Sequence, residues 1–171
     1  MTGNISVREY EDKDYKSVLQ LIVSIQREEF GIPITAEEQP DLHDIHGFYQ
    51  TGRGNFWVAC DNGNIVATVG VKDMGNEEVA LRKLFVSSPY RGAQYGTSNL
   101  LLQTVFDFCQ KHGIRRLYLG TTDVFARAIN FYKKRGFKQI EESSLPSTFP
   151  RLTVDTIFFT HEFPKPSEEQ H

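Results

Sequence analysis

The stretch "KLFVSSPYRGAQYGTSNLLL", residues 83–102, contains the joint that decides the fold. It begins as an apolar strand, turns at Pro89, has glycines at positions 92 and 96, and continues as a leucine-rich helix. The first turn of a helix carries unpaired backbone N–H groups and a partial positive charge, so a glycine-containing turn there can surround an anion. Arg91 would add a planar cationic donor. Taken alone, such a motif is more often a structural tight turn, so the anion site is one of two open interpretations.

Turn signals upstream of this stretch predict a three-stranded antiparallel meander. Asn62-Gly63 separates two runs of β-forming residues and accepts the positive φ angles of a tight hairpin. A second turn at 75–76 leads into a strand at 78–86. The apolar positions of that strand change parity across Arg82 and Lys83, which fits either a β-bulge or a strand covered on both faces.

Helical periodicity on both sides of the meander completes the fold. Apolar residues at helical spacing predict a helix at 13–29, a second at 97–113 and a third at 124–137. A right-handed crossover places a strand at 115–121 parallel to the strand at 78–86. The element order predicts an α/β fold of the α+β type, with a mixed sheet and helices on its faces.

Length and composition are those of one globular domain. The chain has 171 residues, of which 39% are apolar and 24% are charged, and these values argue against a disordered or fibrous protein. We expect a single domain at 1–163. The remainder, 164–171, is charged and interrupted by proline, and we expect it to be disordered.

Charge and hydropathy disfavour several classes of partner. The net charge of −3 and the isoelectric point near 6.0 offer no basic surface for nucleic acid or for an anionic membrane. The sequence has no apolar run of membrane-spanning length and no signal-peptide core, so we expect a cytoplasmic protein. The two cysteines lack metal spacing, and His43 and His46 are more simply polar residues of a short exposed helix than zinc ligands. We therefore expect no metal.

A second motif follows the glycine turn after about thirty residues, as the pattern A-x-x-FY-x-x-x-GF at 128–137. Together with Arg91-Gly92 and Gly96 before a leucine-rich helix, it makes the chain similar to the GNAT superfamily of acyl-CoA-dependent N-acetyltransferases. The resemblance extends from the first strand to about Phe163. It implies a GNAT-type fold, with a largely antiparallel central sheet, one parallel pair of splayed strands and helices on both faces.

The resemblance implies acetyl-CoA as the co-substrate and indicates the residues that would bind it. In the family, backbone amides of the glycine loop hold the coenzyme A pyrophosphate, and the end of the preceding strand pairs with the pantetheine arm. A hydroxyl and a lysine would add further contacts, the lysine to the 3′-phosphate. The implied cofactor-binding residues are Leu84, Phe85, Val86, Arg91, Gly92, Ala93, Gln94, Tyr95, Gly96, Thr97, Thr122 and Lys134.

Three positions depart from the family pattern. Gln94 stands where glycine is usual, Phe125 replaces an Asn that helps to hold the cofactor, and Ala80 replaces a Glu that acts as base. Because main chain binds the anion, Gln94 can still supply an N–H group. Glu78, just upstream of Ala80, is the carboxylate that we expect to serve as the base.

The second motif implies a general acid. A tyrosine hydroxyl is protonated at neutral pH and can give its proton to the departing thiolate. In the family this group is the tyrosine of the final helix, which is Tyr132 here; the alternative is an aromatic side chain that only packs on the sheet. Neither cysteine has a neighbouring His in the sequence, so we expect direct transfer in a ternary complex.

The implied acceptor is an amine, in a small molecule or a peptide, and we expect it to enter between the irregular segments 30–54 and 143–152. Two other functions stay open. One is a non-catalytic acyl-CoA-binding regulatory module, which the three departures allow. The other is a protein or peptide N-acetyltransferase. The resemblance also allows a homodimer, since edge strands of this fold often pair across two subunits.

Overall fold

A seven-stranded mixed sheet forms the centre of the protein. The computed structural model describes residues 5–92, 96–152 and 155–164. The strands are β1 (Ile5–Glu9), β2 (Asn55–Asp61), β3 (Asn64–Gly75), β4 (Glu78–Val86), β5 (Arg116–Thr121), β6 (Lys138–Ile140) and β7 (Ile157–Glu162). Their order in the sheet is β1-β2-β3-β4-β5-β7-β6, and every neighbouring pair is antiparallel except β4 and β5. This confirms the predicted fold class, including its single parallel pair.

Helices cover both faces of the sheet. They are α1 (Tyr15–Ser24), α2 (Ile45–Tyr49), α3 (Thr97–Lys111) and α4 (Ala126–Lys134), and α1 continues as one π-helical turn, Ile25–Glu29. On β2, Val58 packs with residues of α1 and α2, whereas its neighbour Trp57 packs in the cluster that contains α3. Consecutive strand residues point to opposite faces, so α1 and α2 lie on one face and α3 lies on the other.

The β2–β3 hairpin forms as its sequence predicts. Asn62 and Gly63 have φ angles of 52° and 84°, which are the two positive values that this tight turn requires. The pairing of β2 with β3 and of β3 with β4 then completes the antiparallel meander.

A β-bulge interrupts β4 where the apolar pattern changes parity. The β3–β4 register passes from Thr68 opposite Phe85 to Gly70 opposite Arg82, which leaves one extra residue on β4. Lys83 is the extra residue of the bulge. Its backbone has a left-handed φ of 58°, and its carbonyl accepts a hydrogen bond of 2.7 Å from the Thr68 hydroxyl. The bulge, rather than a strand covered equally on both faces, is therefore the reason for the parity change.

The strands of the parallel pair separate soon after they meet. Pairing joins Glu78 to Arg116, continues through the next position and ends where Ala80 lies opposite Tyr118. Beyond Ala80 the two strands diverge, and β5 continues to pair with β7. The divergence opens a V-shaped gap in the sheet and confirms the splayed pair.

The described residues fold around this single sheet, and the domain boundary at 163 stays a prediction. Residues 165–171 of the tail that we expect to be disordered lie outside the described residues. No helix in the described part of the chain is both long enough and apolar enough to cross a membrane.

Leu101 tests how far the packing of α3 supports the sheet. Its side chain is fully buried, whereas that of Leu100 in the same helix is 40% exposed. We expect Leu101→Ala to lower the free energy of unfolding by about 2–5 kcal/mol, because it leaves a cavity. Leu100→Ala should change it by less than about 0.5 kcal/mol. Urea unfolding of both variants measures the difference; equal losses would contradict the assigned orientation of α3.

Candidate active site

The gap between β4 and β5 opens into a cleft at the centre of the protein. Its volume is about 100 Å³, which suits the reacting ends of two ligands rather than a whole cofactor. The cleft is lined by the second half of β4, the end of β5, and α4, together with parts of the segments that follow α1 and precede β7. Its lining residues include Gln26, Ile32, Ile34, Arg82, Lys83, Leu84, Phe85, Gly120, Thr121, Thr122, Phe125, Tyr132, Phe149, Pro150, Leu152 and Asp155.

The glycine turn leads into the N-terminus of α3. Gly96 is the N-cap, with a left-handed φ of 62°, and no side chain caps this end of the helix in the described structure. Gly92 also has a positive φ, of 105°, so both glycines occupy conformations that other residues rarely adopt. The Thr97 hydroxyl donates to the Tyr90 carbonyl at 3.2 Å and fixes the start of the helix. Ala93, Gln94 and Tyr95 lie outside the described residues.

The Arg91 fork is already paired. Nη1 and Nη2 bind both oxygens of Glu29 at 2.6 and 2.9 Å, and Nε donates to the Val86 carbonyl at 2.8 Å. Glu29 ends the π-helical turn that extends α1. Arg91 therefore connects the glycine turn to α1, and its charge is compensated by Glu29, whereas the sequence indicated a cation open to phosphate.

The other predicted cofactor residues divide into two groups. Leu84 and Phe85 of β4 and Thr122 after β5 line the cleft. Val86 is buried in the cluster that contains α3, and Lys134 is exposed on the last turn of α4; neither of them lines the cleft. Arg135 reaches α3 instead, where it donates to the Asn99 side chain.

Tyr132 faces the cleft from α4. It is 5% exposed and packs against Phe137 and Phe159, with ring centroids 5.4 and 6.1 Å away. Burial raises the pKa of the hydroxyl above its ordinary value. Because this pKa is raised, the hydroxyl is protonated at neutral pH. It makes no hydrogen bond to any described residue, so it is free to donate its proton to a ligand.

The structure does not bring Glu78 to the cleft. It is the first residue of β4, where the strands are still paired, and the cleft opens at the other end. Its carboxylate binds Arg116 Nη1 at 3.4 Å and accepts a hydrogen bond of 3.3 Å from the Tyr118 hydroxyl. Ala80 is fully buried in an apolar cluster with Tyr118. The geometry therefore does not support Glu78 as the base, and that role stays a prediction.

A buried charge cluster lies on the α1 and α2 face of the sheet, beside the cleft. The bulge turns the consecutive side chains of Arg82 and Lys83 toward Asp41, at 3.9 and 3.3 Å. The Tyr49 hydroxyl donates to Asp41 at 2.5 Å. Burial alone would raise the pKa of Asp41, but the charges of Lys83 and Arg82 outweigh it and hold that pKa below its ordinary value. The parity change across Arg82 and Lys83 was the one sequence signal of this cluster.

Asp155 is the acidic residue that the sequence did not single out. It is 6% exposed, and its Oδ2 accepts the Leu152 N–H at 3.0 Å. Burial raises the pKa of its carboxyl group, while the Leu152 N–H and the charges of Arg82 and Lys83 oppose the rise. The sequence "TVDTIFFTHEF" predicts a last strand at 153–163, which would include Asp155, whereas β7 begins two residues after Asp155. A charged residue in an apolar strand was its only signal.

Parts of the irregular segments 30–54 and 143–152 line the cleft, and entry of the acceptor between them stays a prediction. Gln26 and Gln39, both buried, exchange two side-chain hydrogen bonds of 2.9 and 3.1 Å and connect the π-helical turn to the segment before α2. Arg82 donates to the Pro150 carbonyl and holds the segment before β7 against β4. The described residues contain no group of three metal-ligating side chains, and Asp44 caps α2 through a 2.9 Å hydrogen bond to the Gly47 N–H.

Comparisons with known proteins agree with this geometry. The family model described as "Acetyltransferase (GNAT) family" matches residues 19–137. The chain belongs to the GNAT acetyltransferase family. The matched range extends from α1 to the last turn after α4, so it contains the splayed strands, the glycine turn and Tyr132.

Relatives of this GNAT chain are named N-acetyltransferases. "Probable N-acetyltransferase family 8 member 5" of Mus musculus is 37% identical over 139 residues, covering 78% of this chain and 60% of that protein. "N-acetyltransferase 8" of Rattus norvegicus is 35% identical over 130 residues, covering 72% and 58%. The chain thus spans 60% or less of the length of these two relatives.

Solved structures share the whole fold. An acetyltransferase of the GNAT family from Staphylococcus aureus Mu50 is 38% identical, with a TM-score of 0.89 over 92% of this chain and 98% of that one. The PaiA N-acetyltransferase of Thermoplasma acidophilum, solved in complex with coenzyme A, has a TM-score of 0.72 over 94% and 99%. Its identity is 15%, so that likeness shows the fold alone.

Lys83 should make stability depend on pH. Burial lowers the pKa of its ammonium from 10.5 to about 8. Between these values the unfolded chain binds a proton that the folded chain has released, so stability should rise with pH by up to about 1.4 kcal/mol per unit. Lys83→Met should lose this slope, and Lys13→Met, whose lysine side chain is 72% exposed, should keep it. Urea unfolding from pH 8 to 10 tests this; parallel curves for all three proteins would refute it.

Proposed function

We propose that this protein transfers the acetyl group of acetyl-CoA to an amine by direct transfer in a ternary complex. The observation that supports it best is a single cleft between β4 and β5 that Tyr132 faces, with the uncapped N-terminus of α3 following the same strand β4. An anion-binding helix end, an open strand edge and a proton donor are the parts that this reaction needs.

Binding of the cofactor would rest mainly on main chain. The pyrophosphate would lie at the turn 91–97, where the helix end supplies N–H groups and a positive dipole. The pantetheine arm, which contains amide groups, would pair with β4 at Leu84 and Phe85, where β5 no longer does. The Thermoplasma protein of the same fold was solved in complex with coenzyme A, which supports the class of the cofactor.

The reaction requires a neutral amine and a protonated leaving group. The amine nitrogen attacks the thioester carbonyl carbon, the C–S bond breaks, and the Tyr132 hydroxyl gives its proton to the thiolate. Cys109 is no nucleophile for this step, because burial raises the pKa of its thiol to about 12. A covalent acetyl-cysteine at that position is therefore disfavoured, which supports direct transfer.

The acceptor belongs to the amines, in a small molecule or a peptide. The names of the relatives support N-acetylation but specify no acceptor for this chain. A cytoplasmic place of action and a homodimer are parts of the proposal that rest on the sequence and the family resemblance. Small-amine and peptide panels run side by side distinguish the two acceptor classes.

Acetyl-CoA should stabilise the protein against heat. A ligand at roughly 100 times its Kd adds about 2.7 kcal/mol to the free energy of unfolding. Pantetheine, which lacks the diphosphate, should stabilise far less because the helix end gains no anion. Thermal unfolding with each ligand measures the difference. Equal effects of the two ligands, or no effect of acetyl-CoA, would contradict the proposed binding mode.

Tyr132→Phe removes the proton donor and keeps the ring. We expect kcat to fall by roughly 10²–10⁴-fold with little change in stabilisation by acetyl-CoA. Tyr118→Phe is the matched control, because Tyr118 binds Glu78 at the paired end of the strands. Release of coenzyme A with a panel of primary amines measures the rates. A regulatory module would show stabilisation by acetyl-CoA and no turnover in any of the three proteins.

A further inference from the structure

The cleft passes through the sheet and presents a different polar group on each face. Leu119 pairs with Phe159, against which Tyr132 packs, so Tyr132 lies on the α3 and α4 face. The next pair, Gly120 and Phe158, points to the opposite face. A side chain on Gly120 would meet the Asp155 carboxylate, since a Cβ there would lie 2.8 Å from Oδ2. Asp155 therefore lies on the face of α1 and α2.

The Asp155 carboxylate is buried without a close counter-ion. Among the described residues its side chain accepts one backbone N–H, from Leu152, and no Lys or Arg nitrogen lies within 4.0 Å. The cations that act on it from farther away are Arg82 and Lys83 of β4 and Arg151 of its own segment. A buried carboxylate gains from a cation brought to it, and an acceptor ammonium supplies one.

Asp155 is also the sole acidic side chain among the described residues that line the cleft. Glu78 is paired with Arg116 at the other end of β4. Asp41 does not line the cleft, because it lies behind Arg82 and Lys83 and forms ion pairs with both of them. This chain has Ala80 where the family pattern has a Glu that acts as base. Asp155 is therefore the one carboxylate of the described cleft that could replace that Glu.

We propose that Asp155 is a catalytic residue that binds the acceptor ammonium and takes its proton before attack. This inference rests on the proposed acetyl transfer. It places the base on the acceptor face of the gap and the acid, Tyr132, on the cofactor face. The amine then attacks from one side of the thioester while the thiolate leaves toward the other.

The proton balance of the transfer is complete with these two groups. The ammonium first passes one proton to Asp155, which later releases it to solvent. The neutral nitrogen forms the C–N bond, the C–S bond breaks, and Tyr132 gives a proton to the thiolate. The nitrogen loses a second proton as the amide forms, and that proton restores Tyr132 through solvent. One proton is released in total for each acetyl group transferred to an ammonium.

The test compares acceptors that differ in basicity. The pair is the best small primary amine of the panel, charged at neutral pH, and its analogue with fluorine substituents next to the amine-bearing carbon, which is largely neutral. Asp155→Asn should lower kcat/KM for the charged amine by roughly 10²–10⁴-fold. For the neutral amine the loss should be less than about tenfold, because no proton has to be removed before attack. Glu141→Gln, an exposed carboxylate of the same segment, should change neither rate.

A second variant displaces the carboxylate without removing it. Gly120→Ala puts a methyl group against the Asp155 carboxylate, 2.8 Å from Oδ2 and 3.0 Å from Cγ, and 3.1 Å from Phe158 Cε1. It should reproduce the same preference for the neutral amine, which keeps the test valid if Asp155→Asn fails to fold. Equal losses for both amines, or no loss, would overturn the role of Asp155 as base. No turnover of either amine by the unmodified chain would instead refute the proposed function, and this inference with it.

Discussion

The cleft depends on the point at which β4 leaves β5. Two neighbouring strands of a sheet satisfy each other's main-chain groups, and here this exchange stops once Ala80 has passed Tyr118. The remainder of β4 keeps its hydrogen bonds to β3 on one edge and turns its other edge toward the gap. Tyr132 and Asp155 both border this gap, so a sheet with continuous β4–β5 pairing would have no cleft between them.

The bulge at Lys83 gives the gap its charge. In an uninterrupted strand Arg82 and Lys83 would point to opposite faces, and one of the two cations would lie among the apolar side chains beneath α3. The extra residue instead sends both toward Asp41 on the face of α1 and α2. On the α3 and α4 face the polar groups at the cleft include the hydroxyls of Thr121 and Tyr132, whereas Arg82, Lys83 and Asp155 put charge on the opposite face. In the proposed reaction the two ligands would therefore meet different environments on the two sides of one sheet.

Features that depend on local sequence were the predictable part of the structure. The hairpin at Asn62-Gly63, the parity change at Lys83 and the glycine turn each have their cause within a few residues. Tyr132 was found through a spaced motif. The partner of Arg91 was not predictable, because Glu29 is 62 residues away in the chain. Glu78 was misplaced for a related reason: the residue at which two parallel strands separate is set by the packing of the whole sheet.

The same limit explains why Asp155 was missed. It precedes β7 in a segment with no periodic pattern, and its place in the cleft follows from the pairing of β7 with β5. The sequence around a single carboxylate does not indicate on which face of the sheet its side chain will lie. The absence of a side chain at Gly120, which makes room for Asp155, becomes meaningful once both residues are placed together.

Lys83 has a consequence for protein engineering. A left-handed backbone costs a residue with a side chain about 1–2 kcal/mol, so glycine is the substitution that a stability-guided redesign would choose first at this position. That choice would relax the bulge and delete an ammonium group that faces Asp41. Removing one partner of a buried ion pair costs about 3–5 kcal/mol, which exceeds that gain, so a choice made from backbone statistics alone would destabilise the protein and change the charge beside the cleft in one step.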